Sequence, residues 1–418
     1  MPPSGGQGRI LFVLGEPPFP VDTGSRIRTH HFIEAAREQG LELYLAYAVG
    51  ETAADASTWA PGTFRQVWAV KPPARLQHPL TWRLRMLFRL LRGEPWEHLD
   101  PHGDALGAQV NAILAQQPFD YVFCRYMATA RHLLEGKLPH CSRLVVDLDD
   151  VEPLKAARHI LLSTGPRTYR RWRMQLNNRL FEAFHRKLTK ADAVLVCSEQ
   201  DQRYVQAKGW SARVDVIPNA VAAFSQPDPT PPPTALSGDR TLLFCGNLAY
   251  GPNIEGLLWF MDHVWPRIRA RLSDARLLIV GKNPAGALHY HVDGNSVVLH
   301  ANVPSVVPFY RQATATVAPL LAAGGTRIKI LESFAHLRPV VSTTIGAEGL
   351  AVEHERHCLI ADSPAAFVDA CCALLEQPAL AHRLASEALE LVRTHYDAQA
   401  VRRQIRQLFD ASRATAGG

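Results

Sequence analysis

A glycine-containing stretch at residues 319–350 reads PLLAAGGTRIKILESFAHLRPVVSTTIGAEGL. The apolar run at residues 315–321 predicts a buried strand, and apolar residues then recur at helical spacing over residues 328–337. Pro339 ends that predicted helix, and residues 340–343 predict the next strand. A strand, glycine loop, helix and strand in this order aim backbone N–H groups and a helix N-terminus at an anion. The stretch therefore predicts a phosphate-binding unit of a parallel α/β sheet.

The polar residues of this stretch suit a bound diphosphate. The candidate donor residues are Gly324, Gly325, Thr326, Arg327, Lys329 and Glu332. The two glycines permit close approach of the backbone, and the threonine is a candidate N-cap. The two cations occupy a helix start, where the helix dipole disfavours positive charge unless an anion is bound. The glutamate can accept hydrogen bonds from sugar hydroxyls. The competing interpretation is a solvated basic helix start with an incidental acid.

The same residues resemble the donor-site motif of retaining sugar-nucleotide glycosyltransferases of the GT-B fold (glycosyl transferases group 1, family-4-like). That family often carries a Glu-x7-Glu pair before a small-residue helix and a Pro-Val-Val-Ser/Thr-like strand. Glu332 matches the second glutamate, which in the family binds the nucleotide ribose. The first glutamate, a donor-sugar contact in the family, falls at Gly324. The resemblance implies the α/β class, with two Rossmann-like domains facing across a cleft.

Length and composition fit a soluble globular protein of two or three domains. The chain has 418 residues, of which 47% are hydrophobic and 20% charged, with a net charge of +6. Its seven cysteines show neither a CxxC pair nor zinc spacing, which indicates reduced cysteines in a cytosolic protein. No apolar run reaches membrane-spanning length. The expected location is cytoplasmic, or peripheral to the inner face of a membrane.

The chain opens with the pattern of a doubly wound sheet. Residues 9–14 and 41–49 predict strands, with a turn-rich loop and a helix at residues 25–39 between them. The loop resembles the family's N-terminal loop, which makes Gly24 a candidate diphosphate contact and Arg26 a candidate acceptor contact. No G-x-G-x-x-G follows the first strand, so the sequence disfavours an NAD-dependent dehydrogenase.

Acids cluster after the strand predicted at residues 143–147. Asp147, Asp149 and Asp150 are candidate general bases for an acceptor hydroxyl or ligands of Mg²⁺, and Asp147 is also a candidate to line the cleft. Helix capping is an equally good explanation of these acids. Metal is the weaker functional interpretation, because enzymes that resemble this chain generally need no bound metal.

Other candidate acceptor residues follow strands of the same half. Arg125 and Tyr126 come directly after a strand predicted at residues 119–124. Asn219 lies in a Val-Ile-Pro-Asn segment that resembles the end of the family's first domain, where the Pro-Asn loop opens into the cleft.

Two basic segments, residues 79–92 and 167–190, predict amphipathic helices with interleaved aromatic residues. Each suits contact with an anionic membrane surface or acceptor, and each also suits a surface helix that buries one face. Nucleic acid is the least supported partner, because no helix-turn-helix or zinc pattern accompanies them.

A proline-rich segment separates two halves of similar pattern. Residues 226–239 contain five prolines, which predicts an extended linker. We predict a first domain at residues 1–222, a linker at 223–239 and a donor-binding domain at 240–397. The last helix, predicted at residues 398–413, then packs back on the first domain, as in the fold that the chain resembles.

The second half repeats the strand, glycine loop and helix of the first. A strand at residues 241–245 precedes Gly246, and one long helix is predicted at residues 254–272. Where the family carries an arginine and a lysine that grip the diphosphate, this chain has Asn247 and Asn253. Arg327 and Lys329 then have to meet the phosphate charge.

These observations predict transfer of a sugar from a nucleotide-diphosphate donor to a hydroxyl acceptor. The resemblance implies retention of configuration, no metal cofactor, and a role in glycoconjugate, polysaccharide or natural-product biosynthesis. One alternative is an epimerase or hydrolase of nucleotide sugars on the same fold. Another is a non-catalytic donor-binding subunit, which the substitutions at Gly324, Asn247 and Asn253 motivate.

Overall fold

A computed structural model describes residues 8–21, 23–49, 62–71, 95, 101–135, 141, 143–149, 151, 153–154, 169–221, 240–282, 284, 286–322 and 327–414. They form two compact units, Met1–Pro218 with Val401–Gly418, and Asn219–Ala400. The basic segment at residues 79–92, the linker at 223–239, and the candidate residues Asp150, Gly324, Gly325 and Thr326 lie outside the described residues.

The first unit is built on a seven-stranded parallel sheet. Its strands are β1 (Arg9–Leu14), β2 (Glu42–Ala48), β3 (Gln66–Val70), β4 (Tyr121–Arg125), β5 (Leu144–Asp149), β6 (Ala193–Val196) and β7 (Val214–Val216). Their spatial order is β3-β2-β1-β4-β5-β6-β7, and the change of direction beside β1 is the switch point of a Rossmann-like sheet. All neighbours pair in parallel, with Ile10 opposite both Leu43 and Tyr121.

Helices connect these strands, and their apolar faces pack with the sheet. They are α1 (Gly24–Glu38), α2 (Pro101–Gln116), α3 (Met127–Glu135), α4 (Tyr169–His185) and α5 (Glu199–Ala207). The core combines apolar residues of the strands with Leu106, Leu133 and Phe184 of the helices. The strands read as near-continuous apolar runs because a parallel sheet covered on both faces is dry on both faces.

The second unit repeats the plan with a six-stranded parallel sheet. Its strands are β8 (Thr241–Cys245), β9 (Arg276–Gly281), β10 (Val297–Ala301), β11 (Ala315–Ala318), β12 (Val340–Ser342) and β13 (Leu359–Ile360), in the order β10-β9-β8-β11-β12-β13. The helices are α6 (Gly251–His263), α7 (Trp265–Arg271), α8 (Val307–Gln312), α9 (Ile328–Ala335), α10 (Thr344–Ala347), α11 (Pro364–Glu376) and α12 (Pro378–Leu391). The predicted fold class of two Rossmann-like domains is therefore confirmed.

Two helices predicted as continuous are interrupted. The prediction of one helix at residues 254–272 is wrong, because α6 ends at His263 and α7 begins at Trp265. Pro266 has no N–H to donate to the carbonyl four residues earlier, and its ring disfavours a continuous helix there. In the basic segment, α4 ends at His185 and residues Arg186–Lys190 form a 3₁₀ helix that buries Leu188. The sequence alone does not predict β3 or α3.

The last helix, α13 (Ala398–Ala414), contributes residues from Val401 onward to the first unit. The Tyr121 hydroxyl donates a hydrogen bond to the Phe409 carbonyl at 2.8 Å, and their rings meet edge to face at 5.3 Å. Before this helix, the Val221 N–H donates to the Tyr396 carbonyl at 3.0 Å within the second unit. Within the described ranges, no helix has the length and apolar character needed to cross a membrane.

The packing of α6 on the end of β11 is tight enough to test. A Cβ at Gly256 would lie 2.3 Å from the Pro319 carbonyl oxygen, whereas one at Gly251 of the same helix has nothing within 4 Å. We expect Gly256→Ala to lower the free energy of unfolding by roughly 1–3 kcal/mol, and Gly251→Ala to change it by less than about 0.5 kcal/mol. Urea denaturation followed by circular dichroism measures both. Equal stability of the two variants would contradict this packing.

Candidate functional site

Four charged side chains meet in the first unit where β4 and β5 end. They are Arg28 of α1, Arg125, Asp147 and Asp149. The Asp147 carboxylate lies 2.6 Å from Arg28 Nη2 and 2.9 Å from Arg125 Nη1. The second arginine also reaches Asp149, with Nη2 at 2.7 Å from Oδ2. Two guanidinium groups thus face two carboxylates, so the buried cluster is balanced in charge.

The two acids of this cluster differ in access to solvent. Asp147 is fully buried, whereas 15% of the Asp149 side chain is exposed. The Asp147 carboxylate is held on both oxygens by arginines, and Arg28 is itself fixed by donation to the Ile217 carbonyl at 2.6 Å. Asp147 therefore organises the cluster from within, while Asp149 presents a carboxylate to solvent.

The backbone beside this cluster has an uncommon conformation. Tyr126 and Asp149 have φ values of 69° and 57°, in the left-handed region that non-glycine residues rarely adopt. The pairing of β5 with β6 also shifts between Asp147 and Asp149. Residues in such strained conformations persist only where the surrounding structure holds them in place, and they cluster at functional sites. Both strained residues are candidates from the sequence, but the strain itself is visible only in the structure.

A cavity beside the cluster is lined by the loop after β1, the start of α1 and the end of β4. A chain of hydrogen bonds runs along it, from Arg125 Nη2 to the Tyr126 hydroxyl at 3.2 Å and from that hydroxyl to Ser25 Oγ at 3.1 Å. Ser25 in turn donates to Glu16 Oε1 at 2.7 Å. The buried Arg125 Nε has no hydrogen-bond partner among the described residues. This wall therefore presents hydroxyl groups that are linked by hydrogen bonds to Arg125 and Glu16.

Two of the other candidates from the first half, Gly24 and Arg26, lie at the start of α1. The third, Asn219, belongs to the second unit. Gly24 is the first residue of α1, and the side chain of Thr23 caps the helix by accepting from the Arg26 N–H at 3.3 Å. The Arg26 side chain donates to the Pro20 carbonyl at 3.3 Å and lines the cavity. Asn219 is buried at the start of the second unit.

In the second unit, Lys329 packs over the glycine that follows β8. A Cβ at Gly246 would lie 3.3 Å from Lys329 Nζ and 3.0 Å from Asn253 Nδ2. The amino group donates to Asn253 Oδ1 and lies 4.9 Å from the centre of the Phe244 ring. Burial lowers the pKa of this lysine to about 7. A cation thus lies at the carboxyl end of β8, the edge where parallel α/β sheets bind ligands.

The two asparagines of the β8 loop have different tasks. Asn253 is buried and joins Lys329 to the loop, since its Nδ2 donates to the Asn247 carbonyl at 2.8 Å. Asn247 is exposed, and its Oδ1 accepts from the Ala249 N–H at 3.0 Å, which closes a local turn. Asn253 therefore places the lysine, a role that sequence comparison with the family's arginine and lysine does not suggest.

Arg327, the other predicted phosphate cation, is oriented toward a different loop. The residue is buried at the start of α9 and donates to the Ile345 carbonyl from Nη2 at 3.0 Å. The same nitrogen lies 3.9 Å from Glu348 Oε2. Of the two cations, Lys329 contacts the loop after β8 and Arg327 contacts α10, which follows β12. Sequence reasoning missed Glu348 because it follows Arg327 by 21 residues.

Glu332 lies one turn after Lys329 on α9 and accepts a hydrogen bond from the Tyr310 hydroxyl at 3.3 Å. Burial raises the pKa of this carboxyl group, although the tyrosine hydrogen bond and the nearby lysine favour its charged form. Lys329, Asn253 and Glu332 are thus brought together. Across the described ranges, no group of three or more His, Cys, Asp or Glu side chains is arranged to hold a metal ion.

Two family models match the chain, one in each half. A model described as "Glycosyl transferase 4-like domain" matches residues 23–220, and one described as "Glycosyl transferases group 1" matches residues 239–377. An "Uncharacterized 44.6 kDa protein in cps region" of Klebsiella pneumoniae is 27% identical over 170 residues. That match covers 38% of this chain and 43% of the relative, so it spans less than half of the relative's length.

Solved structures share the fold over nearly the whole chain. Sucrose-phosphate synthase from Thermosynechococcus elongatus is similar with a TM-score of 0.69 and 15% identity, over 98% of this chain and 100% of that one. The Anabaena protein HepE, in complex with UDP, is similar with a TM-score of 0.64 and 14% identity, over 96% of this chain and 100% of that one. A further structure of HepE is a complex with UDP-glucose.

The buried ion cluster predicts a large effect of one isosteric change. Asp147→Asn removes the charge that offsets Arg28 and Arg125, and we expect it to lower the free energy of unfolding by about 3–5 kcal/mol. The matched control is Asp215→Asn on β7, because Asp215 pairs with Arg213 at 2.7 Å but is about one-third exposed. That change is expected to cost under about 1 kcal/mol. Urea denaturation compares the two, and similar losses would refute the assigned role of Asp147.

Proposed function

Because the chain belongs to the glycosyltransferases of the GT-B fold, we propose that it transfers a sugar from a nucleoside-diphosphate donor to a hydroxyl acceptor. One observation carries the donor part of the proposal. Lys329, packed against Gly246 and held by Asn253, places a cation where the backbone after β8 can approach a ligand closely. HepE, which shares the fold, has UDP in one structure and UDP-glucose in another, which supports this donor class.

The proposed chemistry at the donor is electrostatic. Departure of the sugar leaves negative charge on the diphosphate, and a preorganised cation in partly dehydrated surroundings stabilises that charge. Lys329 supplies the cation, and Arg327 shapes the adjoining turn through Ile345. Glu332 accepts hydrogen bonds from the ribose hydroxyls in this proposal. We further propose that the anomeric configuration is retained and that no metal cofactor is needed, both of which rest on the family resemblance.

The acceptor is proposed to bind at the cavity of the first unit. The Tyr126 and Ser25 hydroxyls line this cavity together with Arg125 and offer polar contacts to an acceptor. Asp149 is the acid of the neighbouring cluster that solvent reaches, and it is therefore the described candidate for a base that accepts the proton of the acceptor hydroxyl. The product class remains that of glycoconjugates, polysaccharides or natural products.

A peripheral contact with a membrane on the cytoplasmic side is a further part of the proposal. Trp172 on the basic helix α4 is 56% exposed, and an aromatic ring beside cations suits the interface of an anionic bilayer. Co-sedimentation with vesicles of anionic lipid tests this contact, and recovery of all the protein in the supernatant would rule it out.

Binding of nucleoside diphosphates tests the donor site directly. At one hundred times its Kd, a diphosphate adds about 2.7 kcal/mol of stability, which thermal shift detects for UDP, GDP, ADP, CDP or dTDP. We expect Lys329→Met to weaken binding by about 1.5–3 kcal/mol, or roughly 10- to 100-fold in Kd. Arg271→Met is the matched control, because Arg271 is an exposed cation of the same unit that pairs with Asp369.

The possible results separate the transferase from other activities. Stabilisation by none of the five diphosphates would refute the donor site. Release of sugar to water as fast as to any acceptor would identify a hydrolase. Binding of the intact nucleotide sugar without turnover would identify a donor-binding subunit.

The lowered pKa of Lys329 predicts how binding depends on pH. Below its pKa of about 7 the amine is already charged, whereas above that pH the protein has to take up a proton when the diphosphate binds. Affinity is therefore expected to fall by up to about tenfold per pH unit between pH 7 and 8.5, where the phosphate itself, with a second pKa of about 6, is already ionised. Calorimetry in buffers of different ionisation enthalpy measures the uptake. Lys329→Met should lose it, and equal uptake in that variant would contradict the assignment.

A further inference from the structure

A buried arginine and a buried tyrosine lie behind Glu332. Arg338 follows α9 and Tyr310 belongs to α8, and neither side chain is exposed to solvent. Neither residue was a candidate from the sequence, because Tyr310 precedes the glycine-containing stretch and Arg338, although inside it, matches no motif. Their contacts connect the backbone of α8 to the carboxylate proposed to bind the donor ribose.

Arg338 holds the end of α8 through backbone oxygens. Its Nε donates to the Tyr310 carbonyl, its Nη2 to the Arg311 carbonyl at 2.9 Å, and its Nη1 to the Leu337 carbonyl at 3.1 Å. A cation at the last carbonyls of a helix is favourable, because those groups have no partner inside the helix. Burial lowers the pKa of Arg338 to about 10, so the guanidinium stays charged at neutral pH. Arg338 thus fixes the backbone from which the Tyr310 ring extends.

The Tyr310 ring is held on one side and directs its hydroxyl toward Glu332. The ring stacks on His336 with centroids 4.7 Å apart and an interplanar angle of 19°. It packs with Leu243 and Val280 in an apolar cluster. Its hydroxyl donates to Glu332 Oε2 at 3.3 Å and also interacts with the Cys245 thiol. A phenylalanine would fill the same apolar space, so the hydroxyl is the part of Tyr310 that packing does not explain.

Three titratable groups from three elements face the Glu332 carboxylate. Tyr310 comes from α8, Cys245 from the end of β8, and Lys329 from one turn earlier on α9. Burial raises the pKa of Cys245 to about 12, so this thiol is neutral near pH 7. Burial also raises the pKa of Glu332, while the Tyr310 hydrogen bond and the Lys329 charge act in the opposite direction. The carboxylate therefore depends on two groups to remain ionised in surroundings that favour its neutral form.

We propose that Tyr310 is a positioning residue for donor binding, which keeps the Glu332 carboxylate oriented and ionised for the ribose hydroxyls, and that Arg338 holds Tyr310 in place. This inference rests on the proposed function, because it takes Glu332 as the ribose contact. An ionised carboxylate accepts hydrogen bonds from both hydroxyls of a ribose, whereas a protonated one has lost part of its acceptor capacity. The Tyr310 hydroxyl then acts through Glu332 rather than on the donor.

The test is the pH dependence of the Kd for whichever nucleoside diphosphate stabilises the wild-type protein. Removing the hydroxyl in Tyr310→Phe takes away a hydrogen bond that favours the charged form of Glu332, so the pKa of Glu332 rises. The loss of affinity on acidification is then expected to begin roughly half to one pH unit higher than in the wild type. The matched control is Tyr204→Phe in the first unit, whose hydroxyl donates to Glu182 at 3.2 Å, and it should follow the wild-type curve.

A double-mutant cycle with Glu332→Gln separates positioning from packing. If Tyr310 acts through Glu332, Tyr310→Phe weakens binding in the wild-type background and adds nothing in the Glu332→Gln background. Equal losses in both backgrounds, or an acidic limb of Tyr310→Phe that coincides with the wild type, would overturn the inference while the donor site stands. If the wild-type protein binds none of the diphosphates, the proposed function itself fails. If it binds one but Glu332→Gln binds as tightly, Glu332 is not the ribose contact, and the inference fails while the proposed sugar transfer stands.

Discussion

Burying a charged group is costly unless an opposite charge or several polar atoms replace the water it loses, and both candidate sites are built around such groups. In the first unit, Asp147 is fully buried and is compensated by Arg28 and Arg125. In the second unit, Lys329 is partly buried, and its amino group packs over Gly246 and the Phe244 ring.

The two units compensate their buried charges in different ways, and the difference agrees with the binding roles proposed for them. The first-unit cluster matches two arginines with two aspartates, so it is already balanced and can hold the strained backbone at Tyr126 and Asp149. Lys329 is hydrogen-bonded to a neutral amide instead, and burial lowers its pKa to about 7. An anionic ligand would restore the full charge of that lysine, which couples donor binding to proton uptake. The first cluster is thus suited to rigidity and the second to binding a diphosphate.

Tyr310 and Arg338 illustrate how the residue proposed to bind the ribose depends on side chains outside its own helix. Glu332 lies on α9, but the group that favours its ionised form comes from α8, and the group that fixes α8 follows α9. The arginine is satisfied by backbone carbonyls rather than by an acid, so its contribution is geometric. Such an arrangement makes the protonation state of one carboxylate depend on the packing of α8, α9 and the segment that follows α9.

The sequence by itself determined the class of fold and pointed to the segment that is proposed to carry the donor site. Apolar runs, the break at Pro339 and the repeat of a strand and glycine loop at Gly246 are local signals, and they are sufficient to identify two Rossmann-like domains. The two-residue spacing of Arg327 and Lys329 directs them to different sides of a helix, but it does not show which segments they contact. Only the tertiary structure decided which segments Arg327 and Lys329 contact, that Asn253 links Lys329 to the loop after β8, and that Asp147 is buried. Each of these depends on side chains from distant parts of the chain that replace water around a charged group.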